Sequence, residues 1–323
     1  MASRKDVAKL AGVSPASVSY YVNKNGYVSK KTGDKIQKAI DELQYVPNQI
    51  ARSLKIKNTK QLLFLCNDIR NPFYSQLVYR ATKSAANLGY TILFSSVVDN
   101  EDYINKILSY QVSGVFASNN KMDVKQINKI AKAQVPVVLL RDLDWDDLDS
   151  SVSLIKVEFS SIMKEIVTHL TENGCDSIHY ISSSSINNLD AKAISFINAM
   201  KGKSFSIIEK VSATKEAHDT IYNTYKEKED FPSSFVCTND AVALGCIRAV
   251  IDRGLRVPED VKVVGFDNTN ISQYSNPEIS TVDIDSEAIG DFAVNMLLDK
   301  INGKKRDHKK IIPRLIVRKS SMK

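Results

Sequence analysis

The chain has 323 residues, 43% hydrophobic and 25% charged, which are the figures of a globular protein large enough for several cores. Its longest apolar runs fall well short of the ~20 residues of a spanning helix, and the start MASRKDVAKLAG carries no signal-peptide core, so neither membrane insertion nor secretion is expected. The net charge of +7 is concentrated: residues 1–60 hold twelve Lys or Arg against four Asp or Glu, and the remainder 32 against 33, which suggests a polyanion-binding head on a neutral body.

Residues 1–46 read as three short helices. KDVAKLA puts Val7, Ala8, Leu10 and Ala11 on one side; Gly12 permits a sharp turn, Ser14 caps the next helix, and Pro15 suits its first position. That second helix is expected to end near Val22, before an Asn-Gly turn in NKNGYVS. A third, about 30–44, aligns Ile36, Ala39, Ile40 and Leu43, with Gly33 as a weakness of about 1 kcal/mol inside it. Two helices joined by a tight turn make helix-turn-helix geometry. PNQIARSLKIKNTK follows as a linker, with Asn48 capping a helix of about six residues that is marginal in water.

From Gln61 the apolar runs LLFLC, TILFSSVV, GVFAS, VPVVLL, SIHYIS, FVCT and VKVVGF alternate with helix-like segments. Repeated β-α units predict parallel doubly wound sheets, and seven runs predict two lobes with a ligand cleft. Cys66, Cys175, Cys237 and Cys246 lie far apart without a C-x-x-C pair, so reduced thiols in a cytoplasmic protein are expected. No G-x-G-x-x-G, P-loop or G-x-S-x-G elbow is present, and the four histidines lack metal-ligand spacing. An enzyme, a cofactor and a metal are therefore not expected. DLDWDDLD lacks the spacing of a calcium loop.

The segments DVAKLAGVSPASVSYYVN, VSKKTGDKIQKAIDELQYVPNQIARSL, IRNPFYSQL, TNDAVALGCIRAVIDRGLRVPEDVKVVGFDN and LIVRKSS, in this order and spacing, resemble the lactose-repressor (LacI/GalR) family. The resemblance implies a homodimeric bacterial transcription factor, a repressor by type, acting on double-stranded operator DNA at the nucleoid. It also implies a body like a periplasmic binding protein that senses a small molecule. The domains expected are a head at 1–46, a hinge helix and linker at 47–60, and a body at 61–323. Because the chain crosses between lobes, lobe 1 is placed at about 61–155 with 284–312, and lobe 2 at about 156–283 with 313–323.

Helical spacing puts Ala16, Ser17 and Tyr20 on the outer face of the second helix and Val18, Tyr21 and Val22 on the inner one. Pro15, Ala16 and Tyr20 occupy the family's specificity positions. Tyr20 replaces an arginine common there, and a phenol cannot make that residue's bidentate contact with guanine. Thymine methyls suit such an apolar surface. The resemblance assigns Ser3, Ser14, Ser19, Asn23 and Ser29 to the phosphate backbone, and Ala51 and Leu54 of the hinge to the minor groove, where an apolar wedge kinks DNA.

For the effector, the resemblance points to Phe73 and Tyr74 after the first strand of the body, Asn239 and Asp267 after later ones, and Lys192 in place of an arginine. Packing is an equal reading for Phe73, and Asp240 is expected to cap the helix that follows it. The resemblance also puts Arg141 where sugar-binding members often place a carboxylate, and Arg70 precedes the NPFY segment. These cations suggest a sugar or sugar derivative that carries negative charge, such as a sugar phosphate. Two alternatives stay open: a phosphocarrier protein as corepressor, which some family members use, and a solute-binding protein without DNA function. The expected mechanism is allosteric, with the effector changing the angle between lobes and hence hinge formation on DNA.

Overall fold

The computed structural model describes residues 2–23, 25–46, 59–66, 68–96, 102–118, 122–141, 147–187, 189–304 and 308–322. It divides into two units, residues 1–59 and 60–323. Asn48, Ala51 and Leu54 lie outside the described residues.

The first unit holds α1 (Arg4–Ala11), α2 (Pro15–Asn23) and α3 (Lys30–Glu42). The α1 helix starts at a capping box, in which Ser3 Oγ accepts from the Asp6 N–H and Asp6 accepts in return from the Ser3 N–H. It stops at Gly12, whose φ of 65° turns the chain left-handed. Ser14 Oγ accepts from the Ser17 N–H at 3.1 Å, and Ser29 Oγ from the Thr32 N–H at 3.3 Å, so hydroxyls begin all three helices. The core is Val7, Ala8, Ala11, Val18, Ile36, Ala39 and Tyr45. Leu10 does not join it and is 46% exposed. At about 100° per residue it stands on the flank of the helix, away from the Val7–Ala8–Ala11 face.

Gly33 corrects the reading of it as a helix defect. A Cβ there would lie 2.9 Å from Tyr21 Cε2, so the missing side chain is where the Tyr21 ring packs. That ring also reaches α3 through its hydroxyl, which donates to Gln37 Oε1 at 3.0 Å.

The second unit carries two six-stranded sheets. The first comprises β1 (Gln61–Cys66), β2 (Thr91–Ser96), β3 (Gly114–Ser118), β4 (Val137–Leu140), β5 (Ser153–Val157) and β11 (His308–Ile311), ordered β11-β5-β4-β3-β1-β2 and wholly parallel. The second comprises β6 (Ile178–Ile181), β7 (Phe205–Ile208), β8 (Ser234–Cys237), β9 (Lys262–Phe266), β10 (Ser280–Asp283) and β12 (Arg314–Ile316), ordered β12-β10-β9-β8-β6-β7. Only β12 runs antiparallel. Helices α4 (Pro72–Asn87), α5 (Asp102–Ser109), α6 (Val124–Lys132), α7 (Phe159–Glu172), α8 (Ala191–Ala199), α9 (Thr214–Thr224), α10 (Asp240–Asp252), α11 (Asn270–Tyr274) and α12 (Ser286–Ile301) connect them.

The chain passes between sheets three times: from β5 through α7 to β6, from β10 through α12 to β11, and from β11 directly to β12. One continuous core consequently runs through both, from Phe64 and Phe116 (ring centroids 4.8 Å apart) to Tyr180 and Phe196, stacked at 5.1 Å. All four cysteines are free and buried. Strand order reverses between β1 and β3 and between β6 and β8, and crevices at such switch points, beyond the carboxyl ends of the strands, are where α/β sheets hold ligands. Among the described residues no helix is long and apolar enough to cross a membrane, and no cluster of metal-ligating side chains occurs.

Candidate nucleic-acid interface and effector site

Ser14, which caps α2, and Pro15, Ala16 and Tyr20 on it are exposed, while Ser17 and Ser19 are half-buried. Val18 is fully buried. The helix carries no acidic residue in its first turn and no basic one in its last, so its outer face is hydroxyls, a methyl, a proline ring and one phenol. Tyr20 is 47% exposed. One part of its ring covers Gly26, where a Cβ would stand 2.7 Å from Tyr20 Cγ and 2.8 Å from Cδ1. Gly26 has no left-handed φ, so it serves close approach rather than the turn that its Asn-Gly context predicts. Asn23 Nδ2 donates to Ser19 Oγ at 3.1 Å, a bond that orders the end of the helix.

In the second sheet, the ends of β6, β8 and β9 converge. Lys192, on the first turn of α8, donates to the Thr238 carbonyl at 2.9 Å and to Asp267 Oδ1 at 3.5 Å. Its ammonium lies 4.7 Å from the Phe266 ring centroid and 5.7 Å from that of Phe159, so two aromatic faces add to its hold. Asp267 sits at φ 95°, a left-handed backbone that aims its carboxylate at Lys192. The α8 helix is capped by Asp190, which accepts from the Ala193 N–H at 2.9 Å and from Ser184 Oγ at 3.1 Å.

Asn239, not Asp240, caps α10: its Oδ1 accepts from the Val242 N–H at 2.9 Å, leaving the side-chain NH2 to donate elsewhere. The expected cap, Asp240, is buried beneath the site. Its carboxylate accepts from the Thr269 N–H (2.7 Å), Thr269 Oγ1 (2.9 Å) and Thr281 Oγ1 (2.5 Å). Burial pushes the Asp240 carboxyl up to about 7, and the nearby Asp267 charge pushes the same way against the threonine bonds. A neighbour that must lack a side chain goes with it, since a Cβ on Gly265 would meet Asp240 Oδ1 at 2.5 Å.

The remaining candidates belong to the first sheet. Phe73 is in the core at 5% exposure, edge-on to the half-buried Tyr74 ring at 5.0 Å. Packing is thus the reading that Phe73's position supports, and the Tyr74 ring is the more open of the two. Arg70 is exposed and forks onto Asp68 with bonds of 2.6 to 3.0 Å. Arg141 follows β4 and is half-buried, which lowers its guanidinium pKa through desolvation. Sequence reasoning missed the serine run 182–185 after β6, where Ser183 Oγ comes within 3.5 Å of Thr238 Oγ1, and it missed Phe159. The switch-point position of SSSS was the available signal for the first; Phe159 had none, because its role depends on a crossover.

Residues 4–48 match the family described as bacterial regulatory proteins, lacI family, and residues 167–321 match the periplasmic binding protein-like domain. The chain is 29% identical over 338 residues to an HTH-type transcriptional repressor PurR of Mannheimia succiniciproducens, covering 100% of this chain and 99% of that one. It is 26% identical over 332 residues to the PurR of Photobacterium profundum, covering 99% and 98%. A solved structure of the lac repressor dimer bound to operator and the anti-inducer ONPF superposes with a TM-score of 0.84 at 24% identity, covering 100% of this chain and 99% of that one.

Proposed function

The chain belongs to the lacI family of bacterial regulatory proteins, DNA-binding transcriptional repressors under small-molecule control, and from that premise we propose that α2 reads the operator while an uncharged sugar or sugar derivative binds at the strand ends of the second sheet. The observation that carries the effector class is the state of the cations. Lys192 is committed to Asp267 and the Thr238 carbonyl, and Arg70 to Asp68. Neither offers an unbalanced charge to a phosphate, whereas Asn239, Asp267 and the serine hydroxyls suit sugar hydroxyls and the half-buried Tyr74 suits a ring face. With those two cations balanced, only Arg141, after β4 in the first sheet, is left to favour the anionic ligand that the residue types suggested, and the uncharged ligand is the reading proposed.

On DNA, Pro15, Ala16 and Tyr20 face base edges, and thymine methyls are the partners that an apolar surface selects. Ser3, Ser14, Ser17, Ser19, Asn23 and Ser29 hold phosphates, with the Lys and Arg of the head supplying sequence-independent attraction. By the family resemblance, Ala51 and Leu54 are the hinge residues for the minor groove at the operator centre, with Asn48 beside them at the DNA. Two copies of α2 in a homodimer match a pseudo-palindromic site. Such a repressor works in the cytoplasm, at the nucleoid. Effector binding changes operator affinity through the crossover segments, a coupling of about 1–3 kcal/mol.

Thermal-shift screening of the full chain against neutral sugars and their phosphate esters, followed by calorimetry of any pair that binds, tests the effector reading. The uncharged member is expected to bind more tightly. Tighter binding of the ester would overturn it.

A further inference from the structure

We infer that Gly26 is a specificity-determining residue of operator recognition: it is the seat that holds the Tyr20 ring in its reading position. The inference rests on the proposal that α2 contacts bases through Tyr20.

Three observations carry it. Gly26 is exposed and has no left-handed φ, so neither burial nor backbone conformation calls for a glycine there. What calls for it is space, because a Cβ would stand 2.7 Å from Tyr20 Cγ, 2.8 Å from Cδ1 and 3.2 Å from Cβ. Those are the inner atoms of the side chain, so the ring cannot clear the contact by a small tilt of its far edge; either χ1 or the loop backbone must shift, and both move the ring from its seat. Meanwhile 47% of Tyr20 remains open to solvent, so the glycine backbone covers one part of the ring and leaves the rest to a partner.

The next residue repeats the device. Tyr21 is seated on Gly33, with Cε2 2.9 Å from where a Cβ would lie, and its hydroxyl donates to Gln37. Adjacent tyrosines on α2 are thus matched by a glycine in the α2–α3 loop and another in α3. The Tyr21 pair fixes α2 against α3; the Tyr20 pair fixes the reader on α2.

Position matters more for this reader than for an arginine. A phenol offers one hydroxyl and a flat edge in place of a fork of donors, so its discrimination depends on presenting that edge at one place. A ring held before binding loses less rotamer freedom on DNA than one that must first be ordered.

The test measures affinities of full-length chain, wild type, Gly26→Ala, Tyr20→Ala and the double variant, for a selected operator duplex and a non-operator duplex of equal length at one salt concentration. Gly26→Ala is expected to weaken operator binding about tenfold, the scale of one base contact, with non-operator binding unchanged. Tyr20→Ala should do the same, and the double variant should be no worse than Tyr20→Ala, since the glycine has nothing left to seat. Wild-type discrimination in Gly26→Ala, or losses that add in the double variant, would overturn the inference. Wild-type discrimination in Tyr20→Ala would instead overturn the reading of α2 on which it rests. If Gly26→Ala alone disrupts the head, the double variant lacks the clash and should fold and bind as Tyr20→Ala does; failure to do so also counts against the seat.

Discussion

Replacing Lys192 by Ala removes the counter-charge of a carboxylate that is almost wholly buried. The Asp267 side chain is 4% exposed and that of Lys192 17%, with 3.5 Å between Nζ and Oδ1. At that separation and an effective dielectric of about 20, the attraction is about 5 kcal/mol. Desolvation of the two groups offsets much of it in the intact pair. Removing one partner does not recover that cost, because the other charge stays buried, and such losses run at about 3–5 kcal/mol. Lys192 also satisfies the Thr238 carbonyl at 2.9 Å. Lys192→Ala should therefore destabilise the body by about 3–4 kcal/mol in urea unfolding of the full chain. The Lys192→Ala/Asp267→Asn double variant should recover more than half of this, since no unpaired charge remains. Calorimetry should show both variants losing effector. A single-variant loss below about 1 kcal/mol, or a double-variant loss equal to the sum of the singles, would refute the pair as the electrostatic centre of the site.

Asp240 predicts a pH dependence with a definite sign. Its folded-state carboxyl, raised to about 7, stays protonated where the unfolded chain has already released its proton near the ordinary value of about 3.9. Its contribution is complete below about pH 4 and is lost as pH rises to about 7, up to about 4 kcal/mol in all. Urea melts of Asp240→Asn between pH 4 and 8 should show a flatter profile than wild type, and an unaltered slope would count against the assignment. Gly245→Ala should cost about 1–3 kcal/mol by overpacking α9 against α10, because the new Cβ would strike the Thr214 carbonyl oxygen and come within 2.9 Å of Ala217 Cβ; a thermal melt at wild-type temperature would contradict this. Arg318 donates to the Ser272 hydroxyl (3.1 Å), the Ile279 carbonyl (2.9 Å) and Asn268 Oδ1 (2.8 Å). Arg318→Ala should cost about 1–3 kcal/mol and speed amide exchange across residues 268–280; exchange confined to the C-terminal strand would argue otherwise.

Much of the fold was legible because buried parallel strands are continuous apolar runs, and LLFLC, GVFAS and VKVVGF became β1, β3 and β9. The strands that did not announce themselves are β5, β7, β10, β11 and β12. HKKI and RLI end the two sheets, where one edge needs no apolar cover. STVD in β10 is buried yet polar, and it can be so because Ser280 and Thr281 find partners in Arg318, Ser320, Ser321 and Asp240, residues distant in sequence. The faces of α2 followed from helical spacing, but the seats of its tyrosines did not: Gly26 and Gly33 look like a turn former and a helix breaker until the rings lie on them. Asp240 was misread for a similar reason. Two adjacent residues could each cap α10, and only the tertiary position of Thr269 and Thr281 decides which is left to be buried.

The chain is proposed to read DNA through α2 with a phenol and methyl groups rather than an arginine. Selection of binding sites from a random duplex pool by the full-length chain tests it most directly. The predicted outcome is a pseudo-palindrome whose half-sites require thymines opposite Ala16 and Tyr20 and tolerate any base where related arginines would demand guanine. A guanine required opposite Tyr20, with selection lost on its substitution, would contradict it.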